Sequence, residues 1–71
     1  MNQQSCFCYI LWTDQGHCFY IGITDNVCRR VTQHNAGQSK WTERYAGTWL
    51  LVWQRAFSSL GKARKFENLL K

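Results

Sequence analysis

Glu67 is one of only four acidic residues in a chain of 71 that carries nine Lys and Arg. Its spacing puts it on the apolar side of a helix. At about 100° per residue, Leu60, Ala63, Phe66 and Leu70 form a stripe roughly 120° wide, and Glu67 falls inside it. A carboxylate on such a face needs a partner. The candidates are a cation, a guanidinium or a metal ion; the alternative is a helix-edge glutamate that turns out to solvent. A second anomaly lies in an earlier helical stretch. Val27 and Val31 mark its inward stripe, His34 falls about 20° from Val27 on the wheel, and Arg30 sits at the edge four residues before His34. A histidine there often only completes a core. An inward arginine needs an anion, either Glu67 or a bound phosphate.

The elements that must position these groups follow from periodicity and turn chemistry. Phe7 to Trp12 reads as a strand, Thr13-Asp14-Gln15-Gly16 as a turn, and His17 to Ile23 as the returning strand of a hairpin. Thr24 or Asp25 is expected to cap a helix running to about His34, which Asn35-Ala36-Gly37 ends. Gln38 to Gly47 is polar with isolated aromatics and reads as a loop or short helix. Thr48 to Ala56 is a third strand. Ser58 or Ser59 caps the last helix, which is followed to Lys71. The order ββαβα predicts an α+β fold, a small three-stranded antiparallel sheet flanked by helices. A hairpin loop centred on Asp14 and Gln15 would set residues whose numbers sum to 29 opposite one another, so Tyr9 would face Tyr20. A three-residue loop would send the two rings to opposite faces. The bland reading of the pair is cross-strand packing; the functional one is two phenols at a wet site.

Composition narrows the function classes. The chain is 45% apolar with eleven aromatics, enough for one small folded domain over residues 1–71. No apolar run is long enough to span a membrane, and Met1-Asn2-Gln3-Gln4 lacks the flank and apolar core of a signal peptide. A cytoplasmic location with reduced thiols is the expectation. The net charge of +5 favours a polyanionic partner, nucleic acid first. Zinc is a further reading of Cys6, Cys8, Cys18 and Cys28. Their spacing lacks two C-x-x-C-like pairs, and ordinary thiols are favoured.

These residues together resemble a known family. Phe7-Cys8-Tyr9, ten intervening residues and Tyr20-Ile21-Gly22 are similar to the paired motif of the GIY-YIG nuclease domain. The likeness continues through Gly22-Ile23-Thr24, Arg29-Arg30, and His34-Asn35 followed by Gly37. It resumes at Ala63-Arg64-Lys65-Phe66-Glu67, and it covers nearly the whole chain. Small stand-alone bacterial members are the nearest in kind, and the Lys-Phe-Glu stretch is also similar to the branched-DNA resolvase branch. The chain departs from the pattern at Cys8, at Phe7 in the glycine position, and at Trp41, where many members have tyrosine. Some members carry an asparagine beyond the glutamate helix. The domain is accordingly expected to continue past Lys71.

The resemblance implies a DNA endonuclease of repair or recombination type that hydrolyses phosphodiester bonds with one divalent metal, magnesium or manganese. Tyr9, Tyr20, Arg30, His34 and Glu67 would form the catalytic set and converge on one concave site. Either tyrosine would serve as general base or position the attacking water. Arg30 would stabilise charge on the phosphate, His34 would assist proton transfer, and Glu67 would bind the metal. Arg29, Lys40, Trp41, Arg44, Lys62, Arg64 and Lys65 would bind the nucleic acid, with branched or structured DNA within the expected range. Two other readings use the same scaffold: a non-catalytic nucleic-acid-binding module, and a structural domain of a larger enzyme.

Overall fold

The computed structural model describes residues 6–71. Strand β1 (Cys6–Thr13) is central, flanked by β2 (Cys18–Thr24) on one side and β3 (Trp49–Phe57) on the other, all antiparallel. Helix α1 (Val27–Asn35) follows β2, a single 3-10 turn spans Glu43–Tyr45, and α2 (Leu60–Leu70) follows β3. The α+β architecture and the ββαβα order are those expected, with element ends shifted by one to three residues.

Alternation along β1 builds two layers. Tyr9, Leu11 and Thr13 point to one face and are buried there with Val27, Trp49 and His34. This is the main core, and α1 closes it. Cys8 and Ile10 point to the other face, where Phe66 of α2 stacks on Trp53 with ring centres 5.7 Å apart and meets Phe57 at 5.3 Å. A β-bulge makes this division possible. Ile10 pairs with Trp53 but Leu11 pairs with Leu51, so Val52 is an extra residue in β3. Without it, Trp49, Leu51 and Trp53 would share a face. With it, Trp49 and Leu51 serve the α1 layer and Trp53, Arg55 and Phe57 serve the α2 layer. The apolar stripe of α2 is only partly covered: Ala63 is buried and Phe66 half-buried, while Leu60 and Leu70 remain exposed. Three strands are too narrow a platform for both ends of the helix.

The hairpin register differs from the expected one. Thr13 pairs with Cys18, so Asp14–His17 form a four-residue loop and opposed residues sum to 31. Tyr9 therefore faces Gly22, and Tyr20 faces Leu11. An even-numbered loop still keeps both tyrosines on one face, on a diagonal. The longer loop has a packing reason. The Tyr45 ring lies over Gly16, where a Cβ would come within 2.5 Å of it, and the left-handed conformation falls on His17 (φ 49°).

The α1 cap also differs. Asn26, not Thr24 or Asp25, is the N-cap, its side chain accepting from the Arg29 amide at 3.0 Å. Thr24 Oγ1 instead accepts from the Asn26 amide, which brings the chain into the cap. Ser59 caps α2 by accepting from the Lys62 amide. Gly37 ends α1 in the left-handed region (φ 78°).

Candidate active site

The site is built along β2, an edge strand of the sheet, where the two layers meet. Tyr9 Oη lies 2.9 Å from His34 Nε2, and His34 Nδ1 lies 2.6 Å from Thr42 Oγ1. All three side chains are buried. The Thr42 hydroxyl donates to the Ser39 carbonyl at 3.4 Å, which leaves its oxygen to accept from Nδ1–H. Nε2 then accepts from the Tyr9 hydroxyl, and this network assigns the tautomer. Tyr20 lies against the same imidazole with ring centres 4.7 Å apart, and 6.2 Å from Tyr9.

Gly22 makes this arrangement possible. A Cβ there would fall 2.6 Å from Tyr9 Oη and 3.0 Å from the Tyr20 ring. The glycine is required by the approach of a phenol and not by backbone angle.

Burial sets the protonation states. It pushes the Tyr9 phenol up to about 12, with the neighbouring Tyr20 adding to the shift. The charge and hydrogen-bonding capacity of Arg30 pull the other way and lose. Burial, helped by the Arg30 charge, pushes His34 down to about 4. At neutral pH both groups are uncharged. For Tyr9 desolvation outweighs the nearby cation.

Arg30 is half-buried on the inward edge of α1 and donates from Nη1 to Gln33 Oε1 at 3.0 Å. Its partner is a neutral amide. Glu67 is not its counter-ion: Glu67 Oε2 pairs with Lys71 Nζ at 3.0 Å, one turn along α2. The Glu67 side chain is 16% exposed and that of Lys71 56%. The cation that satisfies Glu67 within the apolar stripe thus comes from the same helix, a pairing the i, i+4 spacing could have shown.

A cleft of about 570 Å³ runs along β2 and joins the two layers. Tyr20 and Gly22 line it from the α1 face, Ile21 and Ile23 from the other, and Glu67, Arg64 and Lys71 from α2, with Trp41 at its margin. Tyr9, Tyr20, Arg30 and His34 gather on one face of the sheet. Glu67 belongs to the helix on the opposite face and shares the edge cleft with Tyr20 alone of these, since Tyr9, Arg30 and His34 lie behind Tyr20 and Gly22 and do not line it. Among the described residues Glu67 is the one carboxylate lining it. Among the described residues no three His, Cys, Asp or Glu side chains come together as a metal-holding group. Cys6 and Cys8 lie on one face, Cys18 on the other, and Cys8 is buried with its thiol pushed up by burial and by the Glu67 charge.

Arg29, Lys40, Trp41, Arg44, Lys62, Arg64 and Lys65 are all exposed. Arg29 is paired with Asp25 at 2.6 Å. Arg64 links the edge cleft to a second depression lined by Lys62, Lys65 and Asn68. Sequence reasoning missed two supporting residues. Thr42 orients His34 and also accepts the Trp49 indole N–H through its carbonyl at 2.9 Å. Asn35 bonds both backbone groups of Trp49, at 2.8 and 3.0 Å, and so ties α1 to β3. Asn35 could have been singled out as the residue after the inward histidine; Thr42, in a polar stretch, gave no signal.

No helix is long and apolar enough to cross a membrane among the described residues. Comparison with known proteins gives residues 5–71 as a GIY-YIG catalytic domain. The chain is 35% identical over 70 residues to the structure-specific endonuclease subunit SLX1 homolog of Giardia intestinalis, a match covering 92% of this chain and 19% of that protein. It is 35% identical over 65 residues to a UPF0213 protein of Aeromonas hydrophila and 32% over 65 residues to one of Nitratidesulfovibrio vulgaris, covering 47% and 58% of those proteins. The chain therefore spans about a fifth to somewhat over half of the length of these relatives. No solved structure matches it. A match over 67 of the 71 residues, on a sheet that sets Tyr9 across Gly22 and against His34, makes the chain a member of the GIY-YIG catalytic domain family.

Proposed function

We propose that this domain is a metal-dependent DNA endonuclease of the DNA repair or recombination type, hydrolysing phosphodiester bonds with a single divalent ion. The observation that carries the reading is Arg30. A half-buried guanidinium beside the Tyr9 phenol and the His34 imidazole has a neutral amide as its side-chain partner, while Glu67 is paired elsewhere. A phosphate entering the cleft is the anion it lacks.

The donor set fits a hard cation held weakly. Magnesium is commonly bound through one or two carboxylates, with waters and substrate phosphates completing the shell. Glu67 supplies one carboxylate in an open cleft, and its partner Lys71 is half-exposed and free to swing away. Glu67 would hold Mg²⁺ or Mn²⁺, which when bound would neutralise charge on the phosphate.

The remaining residues have distinct tasks. Tyr20 is the phenol that lines the cleft and positions the attacking water. Tyr9 is buried and acts through His34, fixing its ring by donating to Nε2. His34 is a weak base in the free protein, and the negative charge of a bound phosphate would raise its proton affinity. Both imidazole nitrogens are engaged, Nδ1 with Thr42 and Nε2 with Tyr9, so the proton that leaves the water would reach Nε2 by relay, the Tyr9 hydroxyl giving its proton to Nε2 as its oxygen accepts another. The water oxygen bonds to phosphorus, one ester P–O bond breaks, and the departing oxygen takes a proton from solvent water in the open cleft, with the proton held at His34 returning to solvent afterwards. Arg30 holds the charge that gathers on the phosphoryl oxygens.

The deciding experiment is a magnesium-dependent nicking assay on branched and linear DNA with Glu67→Ala as control. Cleavage by the wild type and none by the variant is expected. Binding without cleavage under all metal conditions would replace this reading with that of a nucleic-acid-binding module.

A further inference from the structure

Trp41 and Phe19 are the most exposed large aromatic residues among those described, at 84% and 63%. They do not lie apart. Both line the edge cleft with Tyr20 and Glu67, and both line a second depression of about 390 Å³ with Arg44 and Tyr45. The two depressions share Phe19, Tyr20 and Trp41, so one groove runs from Glu67 past the two aromatics to Arg44.

Trp41 is displayed by a pinned loop. Its neighbour Thr42 is buried and bonded to His34 and to the Trp49 indole. Three residues further on, Tyr45 is seated over Gly16, and the Tyr45 carbonyl accepts from Thr48 Oγ1, which also meets Thr13. The segment is held from both sides while one indole projects from it. Packing accounts for Thr42 and Tyr45; it leaves Trp41 with no role inside the fold. Single exposed apolar residues are ordinary. Two flat rings flanking a groove lined by Arg64 and Arg44 are a different pattern, an electrostatic track with stacking surfaces.

We propose that Phe19 and Trp41 form a stacking platform for unpaired nucleobases, so that this domain selects DNA with single-stranded nucleotides next to the phosphate held at Arg30 and Glu67. Bases within a duplex have both faces covered by their neighbours; only an unstacked base can offer a face to these rings. The position of the scissile phosphate rests on the nuclease reading. The platform itself does not, because stacking is measured without cleavage.

The test uses the full chain in EDTA with three DNAs: a single strand, a blunt duplex, and a duplex with a single-stranded arm carrying 2-aminopurine at its junction. Wild type should prefer the DNAs with unpaired nucleotides and quench the 2-aminopurine. Trp41→Ala and Phe19→Ala should each weaken binding to them by about 5- to 150-fold, the range for losing one stacked base. Blunt-duplex binding should stay within about twofold, and the salt slope should not move, because no phosphate contact is lost. Trp41→Phe should recover most of the loss. Both residues are exposed, and thermal melting checks that the variants fold. Equal weakening on all three DNAs, or none, would overturn the platform. So would a wild-type dimer that Trp41→Ala dissociates, since the rings would then face a second copy. Intact quenching with no cleavage in magnesium would retire the nuclease reading and leave the platform standing.

Discussion

The Tyr9 hydroxyl passes over the α-carbon of Gly22, and a single methyl group there would sit 2.6 Å from the oxygen. Gly22→Ala must push the phenol away from His34 or bend the edge strand. Overpacking of this kind destabilises by about 1–3 kcal/mol. Urea denaturation should show that loss, and cleavage should fall much further than stability does. An alanine variant as stable and as active as wild type would mean that the Tyr9–His34 bond is dispensable.

Removing the hydroxyl instead of the space is the complementary change. Tyr9→Phe leaves His34 Nε2 buried without its donor, a loss of about 1–3 kcal/mol. Tyr20→Phe leaves no buried group unpaired and should barely alter the melting temperature, yet it should reduce cleavage strongly, since Tyr20 is the phenol in the cleft. If the two variants were equal in both stability and cleavage, the division of labour between the tyrosines would be wrong.

The fold should weaken in mild acid. His34 titrates near 4 in the folded chain and at its ordinary value of about 6.5 when unfolded. Between these values the unfolded chain binds more protons, so the neutral-imidazole contribution is complete above about 6.5 and is lost as pH falls through 4. Chemical denaturation from pH 7 to 4 should show the decline, and His34→Gln should flatten it. An unchanged pH profile in that variant would assign the acid sensitivity to other groups.

Glu67→Ala separates catalysis from folding. Loss of the counter-ion of a buried guanidinium would destabilise by roughly 3–5 kcal/mol. The partner is Lys71, half in solvent, and such pairs contribute about 0–1 kcal/mol. Without metal the variant should therefore melt close to wild type and still bind DNA while cutting none. A collapsed fold would refute the catalytic assignment. In wild type, magnesium affinity should be weak alone and improve with a DNA product present.

DNA affinity should fall steeply with salt and depend little on base sequence. Arg64→Ala and Lys65→Ala should each lower the salt slope by about one. Arg29, already paired with Asp25, should matter least. Salt-insensitive binding would remove the phosphate-contact picture.

How far the sequence could be read depended on where each signal resides. The inward stripe of Val27, Arg30, Val31 and His34 was legible because a helix repeats every 3.6 residues and nothing interrupts α1. The shared face of the tyrosines was legible from loop parity, but their true partners were not, since Tyr45 on Gly16 lengthens the loop and is distant in sequence. The partner of Glu67 was legible as a class, since a cation was among the candidates, but its identity as Lys71 was not drawn from the i, i+4 spacing. That α2 occupies the opposite layer from α1 depends on the bulge at Val52, which leaves no mark in a strand where every neighbouring residue is apolar.

That bulge has a consequence for how the chain tolerates gain or loss of residues. Deleting Val52 would join Leu51 directly to Trp53 and restore an uninterrupted ladder, with Leu51 still opposite Leu11 and Trp53 still opposite Ile10, so both layers keep their residues. Deleting a paired residue such as Gln54 would instead turn either Trp53 or Arg55 and Phe57 to the α1 side. Phe66 then loses part of its seat, and α2, with Glu67, drifts from the edge cleft. One exposed strand thus holds a residue whose loss changes no facing beside residues whose loss disconnects the carboxylate from the phenols.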